Sequence, residues 1–323
     1  MMLPKPVAAC GWTLSALHQH LQGVVDLEMW TIPYYLTVLY SIKDPTHPAY
    51  RQVQAVVYQE MLHAQLAANV ANAYGLSPQF NMPVYVGANI PHVDFKLDEP
   101  NPTTQFHPFT AELGPLDERH INAMCLIEYP EWLTGRETNL SSTDEEYGSI
   151  GEFYAAVRVG IAELRGAVKG GQRQVDQFGP FYQNQPSLSV SQDGEAGFKQ
   201  AMTLVDLIVE QGEGQTEEVR GIPVEFQNTA DGFQDSWPHY RKFDSIRQAT
   251  RRPEIYSGVA DPEPGSLGQR AQHILVRDFA AFLETLTELF GGRSSPKVFG
   301  AQMAKLGGDV LTCWQHGAIP RFS

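Results

Sequence analysis

Two long segments, residues 13–42 and 48–75, repeat apolar residues at helical spacing yet break the apolar face with charge. In the first, Leu17, Leu21, Val24, Val25, Ile32 and Tyr35 share one stripe, and Glu28 lies on it with them. In the second, steps of three, four and seven from Glu60 reach Val53, Val56, Val57, His63, Ala64 and Ala67. A lone ionised carboxylate in a core costs several kcal/mol, so such groups are paired or bound to a cation. A fold of this chain must therefore pack two helices together and satisfy Glu28, Glu60 and His63 where they meet.

Glu60-x-x-His63 puts an oxygen and a nitrogen ligand on one helix face, one turn apart. That is the ligand arrangement of carboxylate-bridged di-iron and di-manganese sites in helix bundles. Oxygen ligands with a minority of imidazole suit iron or manganese better than structural zinc. A complete site needs acids from two further helices. The third core helix starts near Ser149, in "SIGEFYAAVRVGIAELRGAV", and offers Glu152. Ser149-x-x-Glu152 is equally a capping box, in which the carboxylate serves the backbone of Ser149. The fourth spans 194–214, "GEAGFKQAMTLVDLIVEQGEG". There Glu213 aligns with Met202, Val205, Asp206 and Val209, whereas Glu210 sits with Lys199, Thr203 and Asp206, so Glu213 is favoured. No second Glu-x-x-His completes a symmetric pattern. His239 in "SWPHYRKF" can supply the missing imidazole or be a surface loop histidine. Glu128 in "CLIEYPEW" is an apolar-flanked acid with no assigned partner, and Asp117-x-x-His120 reads as a surface pair.

The remaining chain is organised around these helices. Thr13 is the expected N-cap of the first, and Pro33 should kink it by removing a backbone donor. Residues 76–148 and 215–262 read as long irregular insertions, the former with a short helix at about 116–127. Two amphipathic helices, 267–290 and 297–314, should close the chain as an antiparallel pair. There is no repeat, P-loop or GxGxxG, and strand-like alternation is scarce. The expected class is mainly α, with residues 1–323 forming a single domain.

A formal net charge of −14 disfavours nucleic acid and anionic membranes as partners. The greasiest stretch, 24–42, is broken by Asp26, Glu28 and Pro33, so no membrane span is expected. Cys10, Cys125 and Cys313 make no CxxC, which points away from a thiolate zinc site and toward a reducing cytoplasm. "MMLPKPVAAC" lacks the apolar run of a secretory signal.

"LEMWTIPYYLTVLYSI", "EMLHAQLAANVANAYG", "IEYPE", "SIGEFY", "QGEG" and "HYRKF", taken in order over about residues 12 to 315, resemble the ferritin-like domain of the iminophenylpyruvate dimer synthases. Those enzymes act in the violacein, rebeccamycin and staurosporine pathways, and stand-alone ferritin-like proteins share the domain. The long extra region of the dimer synthases is absent here. The resemblance implies a ferritin-like four-helix bundle with long insertions and an oxidative role in secondary metabolism. It implies metal ligands at Glu28, Glu60, His63, Glu152, Glu213 and His239. The oxygen-rich ligand set makes iron the expected metal, two ions being favoured over one iron or manganese, while the resemblance leaves the metal type open. The dimer synthases are also associated with haem, but this chain has no CxxCH for covalent attachment.

The reading that follows is an iron-dependent oxidoreductase, an oxidase or oxygenase. It would use dioxygen on a small amino-acid-derived, amine or imine substrate, with Trp30, Tyr34, Tyr35 and Tyr58 as an aromatic shell. The alternative is a ferritin-like metal-binding protein without organic substrate. A purely structural bundle with its acids paired to arginines is a third reading, disfavoured by the few arginines on the core stripes. Self-association is compatible with each.

Overall fold

The computed structural model describes residues 11–98, 100–130, 147–178, 188–212, 237–293 and 299–323. Four helices form the central bundle: α1 (Leu14–Ser41), α2 (Pro48–Ala73), α4 (Ile150–Glu163) and α5 (Gly194–Gly212). Packing runs around the ring from α1 to α2, α5, α4 and back to α1. A shorter pair, α3 (Glu118–Ile127) and α6 (His239–Gln248), packs together, and α6 also rests on α2 and α5. The last two helices, α7 (Leu267–Phe290) and α8 (Phe299–Gln315), pair with each other and lean on α2 and α1 respectively. No strand forms among the described residues, so the fold is mainly α, as the periodicity predicts.

Local signals explain the boundaries. The Thr13 hydroxyl accepts from the Ala16 N–H at 3.1 Å, capping α1, which then continues through Pro33. α2 stops at Gly75, whose φ of +83° only glycine adopts without strain. There the Leu76 N–H returns to the Ala71 carbonyl at 3.0 Å and the Gly75 N–H to Asn72 at 3.0 Å, a Schellman closure. α4 is shorter than its apolar run suggests, because Leu164 leads into a 3₁₀ turn over Arg165–Ala167.

Buried amides on α2 hold the connecting segments. Asn69 donates to the carbonyls of Val175 and Leu188 and accepts from the Val175 N–H, all within 3.0 Å. Asn72 donates to the carbonyls of Arg173 and Phe290, each at 3.0 Å. The segment after α2 folds back along α1, where the Trp30 indole donates to the Val84 carbonyl and Tyr34 to that of Thr110. The segment after α6 is tied to the end of α1 through Tyr256 N–H to Ser41 at 2.7 Å.

Two expectations are corrected. Residues 215–262 are not irregular throughout, since His239, Lys242, Phe243 and Ile246 recur at helical spacing and are buried along α6. His120 is not a surface residue. Its ring is buried against Gly114, with Nδ1 2.6 Å from Asp117 Oδ1 and Nε2 3.1 Å from the Glu112 carbonyl. Asp117 caps α3 and holds that imidazole, so the pair is a local structural device. Among the described residues no helix is long and apolar enough to cross a membrane.

Candidate metal centre

In the bundle interior Glu28 on α1, Glu60 and His63 on α2, Glu128 at the C-cap of α3 and His239 at the first residue of α6 come together. All are buried, the most accessible being Glu128 at 7%. They form two overlapping triads that share Glu60: Glu28, Glu60 and His63 in one, Glu60, Glu128 and His239 in the other. Within each triad one ligand atom per residue lies within 4.8 Å of the others. His63 Nδ1 is 3.5 Å from Glu28 Oε2 and 3.7 Å from Glu60 Oε1. His239 Nδ1 is 2.9 Å from Glu60 Oε1 and 3.5 Å from Glu128 Oε2.

The outward atoms of these side chains are held by the protein. Thr31 donates to Glu60 Oε2 at 2.6 Å, Tyr35 to Glu128 Oε1 at 2.6 Å, and Tyr154 to Glu28 Oε1. The amide oxygen of Gln211 faces His63 Nε2 at 2.8 Å, and that of Gln59 faces His239 Nε2 at 3.1 Å. Each imidazole therefore donates its Nε2–H to a glutamine and turns the Nδ1 lone pair toward carboxylates. His239 Nδ1 has no hydrogen bond among the described residues, although a carboxylate oxygen lies at hydrogen-bonding distance. Lone pairs converging on lone pairs in a dry space repel unless a cation lies between them, and imidazoles pinned at the far nitrogen are the usual support of metal ligands. The residues present fit a metal ion, or two sharing Glu60. The mix of carboxylate and imidazole suits iron or manganese.

Electrostatics support that fit. Burial pushes the Glu60 carboxyl well above its ordinary value, and the charges of Glu128 and Glu28 add to the push. Burial disfavours the imidazolium of His63, but its contact with Glu28 and the charges of Glu60 and Glu28 outweigh it and raise its pKa. Glu128 is also opposed by burial, yet its electrostatic interaction with the neighbouring His239, helped by the hydrogen bond from Tyr35, holds it below its ordinary value. Without metal, protons take the cation's place.

The structure thus brings Glu28, Glu60, His63 and His239 together. Glu152 is in neither triad: its carboxylate accepts from the Gly148 N–H at 2.8 Å, and the Ser149 hydroxyl accepts from the Glu152 N–H at 3.1 Å. It sits at the first turn of α4, where capping uses it, and Glu128 rather than Glu152 lies with Glu60 and His239. Glu213 lies outside the described residues. The residue before it, Gly212, is close enough that an added Cβ would sit 3.2 Å from Glu128 Oε2. Glu210 is half-buried on α5 and in neither triad. Tyr58 is 46% exposed, so it is no part of an aromatic shell. Thr31, Gln59, Tyr154 and Gln211 are supports that the sequence reading did not name. A cavity of about 30 Å³ opens on Glu28, Glu60, His63 and Glu128, room for a water-sized occupant.

A ferritin-like family model matches residues 21–248, a span that contains all five clustered side chains. The chain belongs to the ferritin-like family. The crystal structure of a ferritin-like protein from Caulobacter vibrioides is similar over 97% of this chain and 99% of that one, with 56% identity and a TM-score of 0.86. Comparison with curated proteins gives no match. The matched span of this ferritin-like chain ends at Gln248, before α7 and α8.

Substitutions separate the ligands from the cap. Glu128→Gln should keep the fold and lose most bound metal, whereas Glu152→Ala should keep the metal and cost about 1 kcal/mol at the start of α4. Metal analysis and urea unfolding of both variants check this, and the reverse pattern would restore Glu152 as ligand.

The raised pKa of Glu60 gives a second test. Below its ordinary value the folded and unfolded states are both protonated and its contribution is fully present. As pH rises toward the folded value the unfolded chain releases a proton that the metal-free fold retains, and stability falls by about 1.4 kcal/mol per pH unit for each such proton. Glu60→Gln should flatten that fall and stabilise the metal-free protein at neutral pH, since an amide N–H can then donate to His239 Nδ1. Denaturant midpoints measured from mildly acid to mildly alkaline pH check the sign.

Proposed function

We propose that this protein is a non-haem iron oxidase or oxygenase that uses dioxygen on a small amino-acid-derived, amine or imine substrate. The observation that carries the reading is the pair of triads sharing Glu60, with every outward ligand atom already engaged by Thr31, Tyr35, Tyr154, Gln59 or Gln211. Such a centre is preorganised to receive metal rather than to form ion pairs. Two irons are favoured, because each triad supplies its own imidazole and Glu60 is the shared carboxylate. Bound iron would supply the one-electron steps that dioxygen chemistry requires. Glu28, Glu60 and Glu128 would supply oxygen ligands and His63 and His239 nitrogen ligands to the bound iron. Ile127, Ile150 and Ile208 give the cavity an apolar part of its wall. The motif likeness to the iminophenylpyruvate dimer synthases supports an imine-bearing substrate and a place in secondary metabolism. The family alone does not, since fold does not fix function.

A second reading, metal binding without organic substrate, is favoured by the small volume of the cavity among the described residues. Oxygen uptake separates the two. Reduced, iron-loaded protein exposed to air should consume oxygen beyond the amount that oxidises its iron when a suitable amino acid or α-keto-acid imine is present. Uptake that stops at the iron equivalent with every such compound leaves the second reading.

A further inference from the structure

A second concave site lies between α1 and the segment that follows α2. It is an open groove of about 680 Å³ that shares no residue with the triads. Two clasps hold its walls together. Gln22 on α1 donates to the Gln79 carbonyl at 2.8 Å and accepts from the Gln79 N–H at 2.9 Å. Further along, the Trp30 indole donates to the Val84 carbonyl at 2.9 Å, and the Tyr85 hydroxyl donates to the Trp30 carbonyl at 2.8 Å. Asn81, between the clasps, donates to Asp26 Oδ1 at 2.9 Å, and Gln22 donates to the same oxygen at 3.1 Å. The Asp26 carboxylate is thereby oriented by two amides on Oδ1, while Oδ2 takes no hydrogen bond from the described residues. No lysine or arginine is among the residues that line the groove.

The opposite wall is apolar where water reaches it. Val84 and Val86 are 66% and 64% exposed, more than any other large hydrophobic side chain among the described residues, and both line this groove beside Met82. Burial raises the Asp26 carboxyl above its ordinary value, and the amides of Asn81 and Gln22 oppose that without supplying a charge. A groove of this size with one oriented charge and an apolar wall has the form of a small-molecule site. We infer that it binds a small primary amine with an apolar body, whose ammonium donates to Asp26 Oδ2 while the body covers Met82, Val84 and Val86. The sign of the charge follows from Asp26, since an anion would meet an uncompensated carboxylate. An ammonium is a compact charge that one oxygen can satisfy, whereas a guanidinium fork uses both carboxylate oxygens, and Oδ1 is already engaged. The apolar body follows from the valines, whose exposure to water a ligand's hydrocarbon removes. Asp26 and Glu28 are about 200° apart around α1, so the amine is held away from the metal centre and its binding needs no iron.

The test is calorimetric titration of 2-phenylethylamine into the metal-free full chain at neutral pH, with 2-phenylethanol as the uncharged control. The cavity of about 30 Å³ at the triads is too small for either compound. The amine should bind with a dissociation constant of about 1 mM or tighter, and the alcohol about tenfold more weakly or worse. Asp26→Asn changes a formal net charge of −14 by a single unit. A loss of about tenfold or more in that variant therefore places the ammonium at Asp26 rather than in the general field of an acidic chain. Val86→Lys sets a rival ammonium on the wall, at a position exposed enough to leave folding intact, and should weaken the amine as well. It decides the matter if Asp26→Asn does not fold. Equal binding of amine and alcohol overturns the inference. So does an affinity unchanged in Val86→Lys or in folded Asp26→Asn, or no heat of binding at about 10 mM amine. A protein that binds the amine but no iron would keep this site and lose the proposed function.

Discussion

Three carboxylates and two imidazoles share a water-poor space, and each is held from behind by a hydroxyl or an amide. That arrangement is costly for a bare protein. Burial raises the price of every charge, and Glu60 answers by holding its proton far more tightly than a solvent-exposed carboxylate does. A cation would replace several such costs with ligand bonds. Much of the surrounding architecture follows from keeping these groups together. α1 and α2 place Glu28 against Glu60 and His63, while α4 and α5 bring Tyr154 and Gln211 to the outer faces of their ligands.

The second triad depends on segments outside the four-helix core. α3 carries Glu128 at its end, α6 begins with His239, and the packing of these short helices sets the two side chains 3.5 Å apart. Neither helix is long enough to be stable alone in water. α6 is held through Phe243 and Ile246 and through the buried Lys242, whose ammonium donates to the Trp237 carbonyl at 2.7 Å. The stretches that resemble insertions are therefore part of the site's framework.

Long, strongly periodic helices made half of this centre legible in the sequence. Glu28, Glu60 and His63 stand out because many apolar neighbours define the stripe that they interrupt. Glu128 passes the same test, with Cys125, Met124 and Ile121 at steps of three, four and seven. It was not placed because the expected helix stopped at Ile127, one residue short. Gln211 likewise aligns with Ile208, Leu207 and Leu204, but a glutamine carries no charge to draw notice. α6 is short and rich in charge, so its apolar face rests on few residues. At Glu152 the sequence is compatible with a cap and a ligand, and the structure shows the capping contacts at the start of α4. The bundle and the closing helical pair were readable for the same reason as Glu60. The pairing of α3 with α6 was not, because no local pattern records which distant segment a short helix will meet.

The central claim is that a cation completes the cluster. Crystals grown from iron-loaded protein and measured on both sides of the iron absorption edge give the most direct answer. The account predicts anomalous density within Glu28, Glu60 and His63, a second peak within Glu60, Glu128 and His239, and both within bonding distance of the Nδ1 atoms. Iron-loaded crystals with no anomalous density between these side chains would contradict it.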